Sequence, residues 1–164
     1  MIQIGTALSL SSLFWPEFVE LDGAVFIAAE LARSGSKPPG FPSQTEAELF
    51  INHIHILDHF RHHADLEGDE DRYWDENHPD FKSACALGKL MAAMWASKLL
   101  VDYPHYDFRV YYCQKDNPIV RFQRVRPDEP TWIDDEAHSK QIEAGEIVVH
   151  STSELRKHVA QNTV

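Results

Sequence analysis

Phe108-Arg109-Val110-Tyr111-Tyr112-Cys113 and Ile119-Val120-Arg121-Phe122-Gln123-Arg124-Val125 are the runs whose reading decides the fold class. Both alternate along the chain and are rich in β-branched and aromatic residues, which fit the half-buried surface of a pleated strand. Between them Gln114-Lys115-Asp116-Asn117-Pro118 supplies turn chemistry, and Pro118 ends the loop before the second run. The pair predicts an antiparallel hairpin. Downstream, Asp134 to Ala144 reads as a short helix closed by Gly145, and Ile147-Val148-Val149-His150 as a third strand. Ser153 with Glu154 then starts a last helix through Ala160.

Upstream the period changes to that of helices. His78-Pro79-Asp80 opens one, with proline at its first position and an acid favourable to the macrodipole. From Phe81 to Leu100 a broad apolar arc holds Phe81, Ala84, Leu87, Met91, Met94, Trp95 and Leu99. A helix apolar over most of its circumference is buried on most sides. A second copy of the chain would also cover part of this arc, so a homo-oligomer is one way of meeting that demand. Ser83 to Val101 is long and apolar enough to be weighed as a membrane span, but Lys89 and Lys98 in its interior are costly at bilayer depth. A core helix is the expectation, with no membrane.

Ser43-Gln44-Thr45-Glu46 has capping-box spacing and predicts a helix from about Glu46 to His63, with Phe50, Ile54, Leu57 and Arg61 along one line. Before it, the prolines and glycines of Ser34-Gly35-Ser36-Lys37-Pro38-Pro39-Gly40-Phe41-Pro42 forbid regular structure. Residues 18–27 have two readings: Asp22-Gly23 between apolar runs signals a tight hairpin, or Asp22 caps a helix over Ala24 to Arg33. The Ala-Ala-Glu-Leu-Ala tail favours the helix. The fold expected is α+β: a helical N-terminal half packed on a small, largely antiparallel sheet with short C-terminal helices. Residues 1–164 are read as a single globular domain with the linker 34–42 inside it.

The 164 residues carry 15 Lys+Arg against 26 Asp+Glu, a formal charge of −11. That balance argues against nonspecific nucleic-acid binding and against an anionic membrane surface. Cys85 and Cys113 sit in apolar runs and read as buried, reduced and inert thiols. Arg33 is the first basic residue, so the start lacks the charged region of a signal peptide, and a cytoplasmic location is expected.

The densest chemical constellation is Asn52-His53-Ile54-His55-Ile56-Leu57-Asp58-His59-Phe60-Arg61-His62-His63. On a helix, His55, His59 and His62 share the face opposite the apolar side chains. Imidazoles so spaced can approach one cation, and imidazole suits zinc or another transition metal. A full site needs a fourth ligand such as Asp65, Glu67 or His78. Against it, a face opposite a core is solvated by default, and one straight helix makes a poor tetrahedral site. His53 falls in the apolar arc and is expected to bond a backbone carbonyl.

Asp65 to Asp80 holds eight acids and one Arg, a solvated block that fails the EF-hand pattern. The hairpin carries the opposite sign, Arg109, Lys115, Arg121, Arg124 and Arg126 interleaved with Tyr111, Tyr112 and Phe122. Its arginines are expected to pair with the acidic segments rather than with nucleic acid. HExxH, GxSxG, Walker and GxGxxG motifs are absent. The function expected is a non-enzymatic binding or regulatory module that meets, and so neutralises, a basic protein partner. The alternative is a metal-dependent enzyme using the histidine cluster.

Overall fold

The computed structural model describes residues 3–35, 40–60 and 75–161. Its elements are α1 (Ile4–Phe14), β1 (Phe18–Leu21), β2 (Ala24–Ile27), α2 (Ala28–Arg33), α3 (Gln44–Ile51), β3 (His53–His55), a 3-10 turn (Leu57–His59), α4 (Pro79–Asp102), β4 (Phe108–Cys113), β5 (Ile119–Arg124), α5 (Ser139–Glu143), β6 (Ile147–Ser151) and α6 (Thr152–Gln161). The four-stranded sheet has the order β3-β5-β4-β6 with every neighbour antiparallel, and β1 and β2 form a separate ribbon. The fold is α+β.

The β4–β5 hairpin forms as its sequence predicts, in a register running from Phe108 opposite Arg124 to Cys113 opposite Ile119. One sheet face presents Ile54, Phe108, Val110, Tyr112, Val120 and Phe122, all buried. Helix α4 lies on it, burying Phe81, Ala84, Gly88, Met91, Ala92, Trp95, Ala96 and Leu99 at helical spacing. At Gly88 helix and sheet come close together. A Cβ there would stand 2.8 Å from Tyr112 Cδ2 and Cε2. By length and composition α4 would also cross a bilayer, but this stripe is spent on the sheet. Helix α1 is tied to α4 by Trp95, whose indole Nε1–H donates to the Leu13 carbonyl at 3.0 Å.

Three sequence expectations need correction. Residues 18–27 are a hairpin, not the start of a helix. Asp22 and Gly23 take φ of 52° and 81°, the left-handed pair of a primed turn, and the helix begins only at Ala28. The helix expected over 46–63 stops at Ile51. Its cap is as read, Ser43 Oγ accepting from Glu46 N at 3.1 Å. Asn52, however, turns its carboxamide to β2, accepting from Ile27 N at 2.9 Å and donating to the Val25 carbonyl at 2.7 Å. The chain leaves the helix there, and His53-Ile54-His55 pairs with Arg121-Val120-Ile119 as an edge strand. Phe50, read as part of that helix's apolar line, is 56% exposed. The helix expected over 134–144 shrinks to Ser139–Glu143, because Asp134 Oδ1 accepts from the Glu136 and Ala137 amides and holds a turn there.

Candidate functional site

The β3 edge is positioned by α3, and α3 by one buried acid. Glu48 is fully buried, and its Oε1 accepts from Val25 N at 2.9 Å while Oε2 accepts from Arg124 N at 2.8 Å. The Arg126 guanidinium closes on the same carboxylate. Burial pushes the Glu48 pKa up, opposed by Arg126 and the two amides. One carboxylate thus bridges the ribbon and the sheet.

The second sheet face carries the polar rows. Register places His53, Arg121, Tyr111 and Val149 side by side across the four strands. The chain after β5 covers the middle of this face. Trp132 N donates to Gln123 Oε1 at 2.8 Å, and its ring meets Tyr111 edge-on at 5.3 Å. Arg121 lies against that cover, its guanidinium over the Trp132 ring at 4.0 Å, with His53 and His55 beyond it at the edge.

The expected pairing of hairpin arginines with acids occurs at Arg126, with Glu48, and at Arg109, with Asp135. Arg124 instead donates to the Gly23 carbonyl at 2.9 Å and stacks on Tyr106. Arg33 and Arg156 pair with Glu30 and Asp107. Arg121 is the one described arginine whose side chain makes no ion pair or hydrogen bond among the described residues, and its Nε, like that of Arg109, is buried without a partner.

His53, His55 and His59 share a concavity of about 280 Å³, lined also by Glu30, Arg33, Phe50 and Asp58. His53 bonds the Phe50 carbonyl through Nδ1, as expected of it. A carbonyl only accepts, so Nδ1 carries the proton and Nε2 is left for another partner. The His53 and His55 ring centroids are 5.5 Å apart. Burial lowers the His53 pKa, and the charges of Arg121 and His55 lower it further.

The helical basis for joining His55, His59 and His62 is therefore gone: His55 is on β3 and His59 in the 3-10 turn. His62, Asp65 and Glu67 lie outside the described residues. His78 caps α4, its Nδ1 accepting from Asp80 N at 3.1 Å. Among the described residues no three His, Cys, Asp or Glu groups converge to hold a metal ion. What brings His53 and His55 together is strand alternation, a signal legible as His-Ile-His-Ile but outweighed by the helical spacing around it.

Cys85 and Cys113 are unpaired. Burial pushes both thiols up, away from the thiolate a nucleophile requires. No model of a known protein family, no curated protein and no solved structure matches the chain.

Proposed function

We propose that the protein is a non-enzymatic binding or regulatory module that meets a basic protein partner through an acidic surface. One observation carries this reading. Residues 127–146 hold seven acids and a single basic side chain, Lys140. Glu129 and Asp135 face Arg126 and Arg109. Asp128, Asp134, Glu136, Glu143 and Glu146 remain exposed, with no ion pair among the described residues. Surplus charge of one sign on a short surface segment speeds encounter with a partner of opposite sign and disfavours like-charged competitors. Unpaired thiols at Cys85 and Cys113 fit a reducing, cytoplasmic setting.

The test is affinity capture from lysate with the parent chain and with an Asp134→Asn, Glu136→Gln, Glu143→Gln, Glu146→Gln variant. The reading expects a basic protein retained by the parent, released by salt and not retained by the variant. Equal retention by both would refute the acidic surface.

A metal-dependent enzyme is the second reading; its support is that His53, His55 and His59 line one concavity, although they do not converge as a metal-binding group. Elemental analysis of protein purified without an affinity tag separates the two. A stoichiometric transition metal, lost in His55→Ala, would promote the enzyme.

A further inference from the structure

We propose that His53, His55 and Arg121 form a binding site for a phosphate-type oxyanion at the β3 edge of the sheet. Arg121 and His53 are cross-strand neighbours, and the His55 ring lies 5.5 Å from that of His53, so three nitrogen-rich side chains from two paired strands share one surface. The strands fix their backbones. Stacking at 4.0 Å on Trp132 fixes the guanidinium, and the Phe50 carbonyl fixes the His53 ring. Such a site is organised before its ligand arrives, which lowers the entropy lost on binding.

The unfilled donors point to the ligand's chemistry. A half-buried guanidinium with unmet hydrogen-bonding capacity is costly; Arg33, Arg124, Arg126 and Arg156 bond acceptors inside the protein, and Arg109 reaches Asp135 although its Nε, too, is buried without a partner. Nothing described supplies Arg121 with an acceptor. The acids nearby are engaged elsewhere: Glu30 pairs with Arg33, and Asp58 accepts from Asn117 Nδ2 at 2.8 Å. His59 lines the same concavity as His53 and His55. Donors on neighbouring, separate side chains suit an oxyanion with several acceptor oxygens, and the planar guanidinium fork matches phosphate geometry. An anion would also offset the repulsion among His53, His55 and Arg121 that lowers the His53 pKa.

Sulfate is the probe, because its charge stays fixed while the imidazoles titrate; phenyl phosphate serves as the ester. Tag-free, full-length protein is titrated at constant ionic strength, at about pH 5.5 and about pH 8, either side of the imidazole reference value. Calorimetry and the histidine ring NMR signals are the readouts. Sulfate should saturate with a shift of the His53 and His55 signals at the lower pH, and bind at least about tenfold more weakly at the higher, where His53, its pKa lowered by burial, is neutral. Arg121→Gln should abolish saturable binding, and His55→Gln should weaken it. Should Arg121→Gln not fold, Arg121→Lys keeps the charge, loses the planar fork and should bind more weakly than the parent. Equal affinities for sulfate and the ester support a free anion as the ligand, and tighter binding of the ester supports a phosphorylated small molecule. Binding that does not saturate, that chloride reproduces, or that survives Arg121→Gln overturns the site. The acidic-surface variant tested above should bind sulfate as the parent does, so either proposal can fail alone.

Discussion

Both terminal nitrogens of Arg126 hold the carboxylate of Glu48, Nη1 to Oε2 at 2.8 Å and Nη2 to Oε1 at 3.0 Å, where no solvent reaches the acid. With the Val25 and Arg124 amides on the same oxygens, every strong acceptor direction of the carboxylate is used. An ion pair of this kind is expensive to break one side at a time, because the survivor is a buried charge.

Arg126→Met should therefore cost about 3–5 kcal/mol of unfolding free energy. Adding Glu48→Gln should return part of that loss, since a neutral amide needs no counter-charge. Denaturant melts of both single variants and the double close the cycle. Strictly additive losses would show that the two side chains are not coupled.

Gly88→Ala sets two effects against each other. Replacing glycine by alanine inside a helix ordinarily gains about 1 kcal/mol. Here the new methyl would meet the Tyr112 ring at 2.8 Å and Ile56 Cγ1 at 3.4 Å. Both neighbours are fully buried, so they have little room to yield. Overpacking of about 1–3 kcal/mol should win, leaving the variant less stable than the parent. A raised melting temperature would mean that helix and sheet are not in contact there.

Trp95 fills the centre of the α4–sheet layer and has no exposed surface. Trp95→Ala should cost about 3–5 kcal/mol through lost burial and the cavity left behind. Trp95→Phe isolates the bond to the Leu13 carbonyl and should account for about 1 kcal/mol beyond its volume change. A loss below about 1 kcal/mol in the alanine variant would displace α4 from the core.

His150 sits half-buried on β6, and burial alone lowers its pKa. The folded chain then holds this proton more weakly than the unfolded chain does, so below about pH 6.5 the unfolded state binds more protons. Stability should fall as pH drops through that range and recover above it. His53 acts in the same direction. In urea melts at about pH 7.5 and about pH 5.5, His150→Gln should lose less stability on acidification than the parent. An equal loss in both chains would show that His150 is not desolvated.

Legibility in the sequence followed how many residues vote for each period. The β4–β5 hairpin offers six-residue alternation on both sides of a turn, and α4 offers twenty-four residues of helical pattern, so no competing reading survives. At 52–59 the votes conflict. Phe50, Ile54 and Leu57 stand at helical spacing, while His53-Ile54-His55-Ile56 alternates over only four positions. The deciding contact, Asn52 to β2, joins residues 25 apart along the chain and leaves no local trace. The arginine–histidine row was hidden for the same reason. His53 and Arg121 are neighbours only once β3 pairs with β5, which spacing within either segment cannot express.

Asn52 and Glu48 do something further for the β1–β2 ribbon. The outward groups of β2 at Val25 and Ile27 are those that a strand from another molecule would seize, and here a carboxamide and a carboxylate already occupy them. Glu48 of α3 and Asn52 just beyond its end thus cover the outward groups of a β edge, which guards the apolar strand Ala24-Val25-Phe26-Ile27 against intermolecular pairing. Loss of the Asn52 amide nitrogen by spontaneous deamidation would set a carboxylate against the Val25 carbonyl and reopen that edge. The lifetime of one carboxamide thereby bears on how long the protein stays in solution.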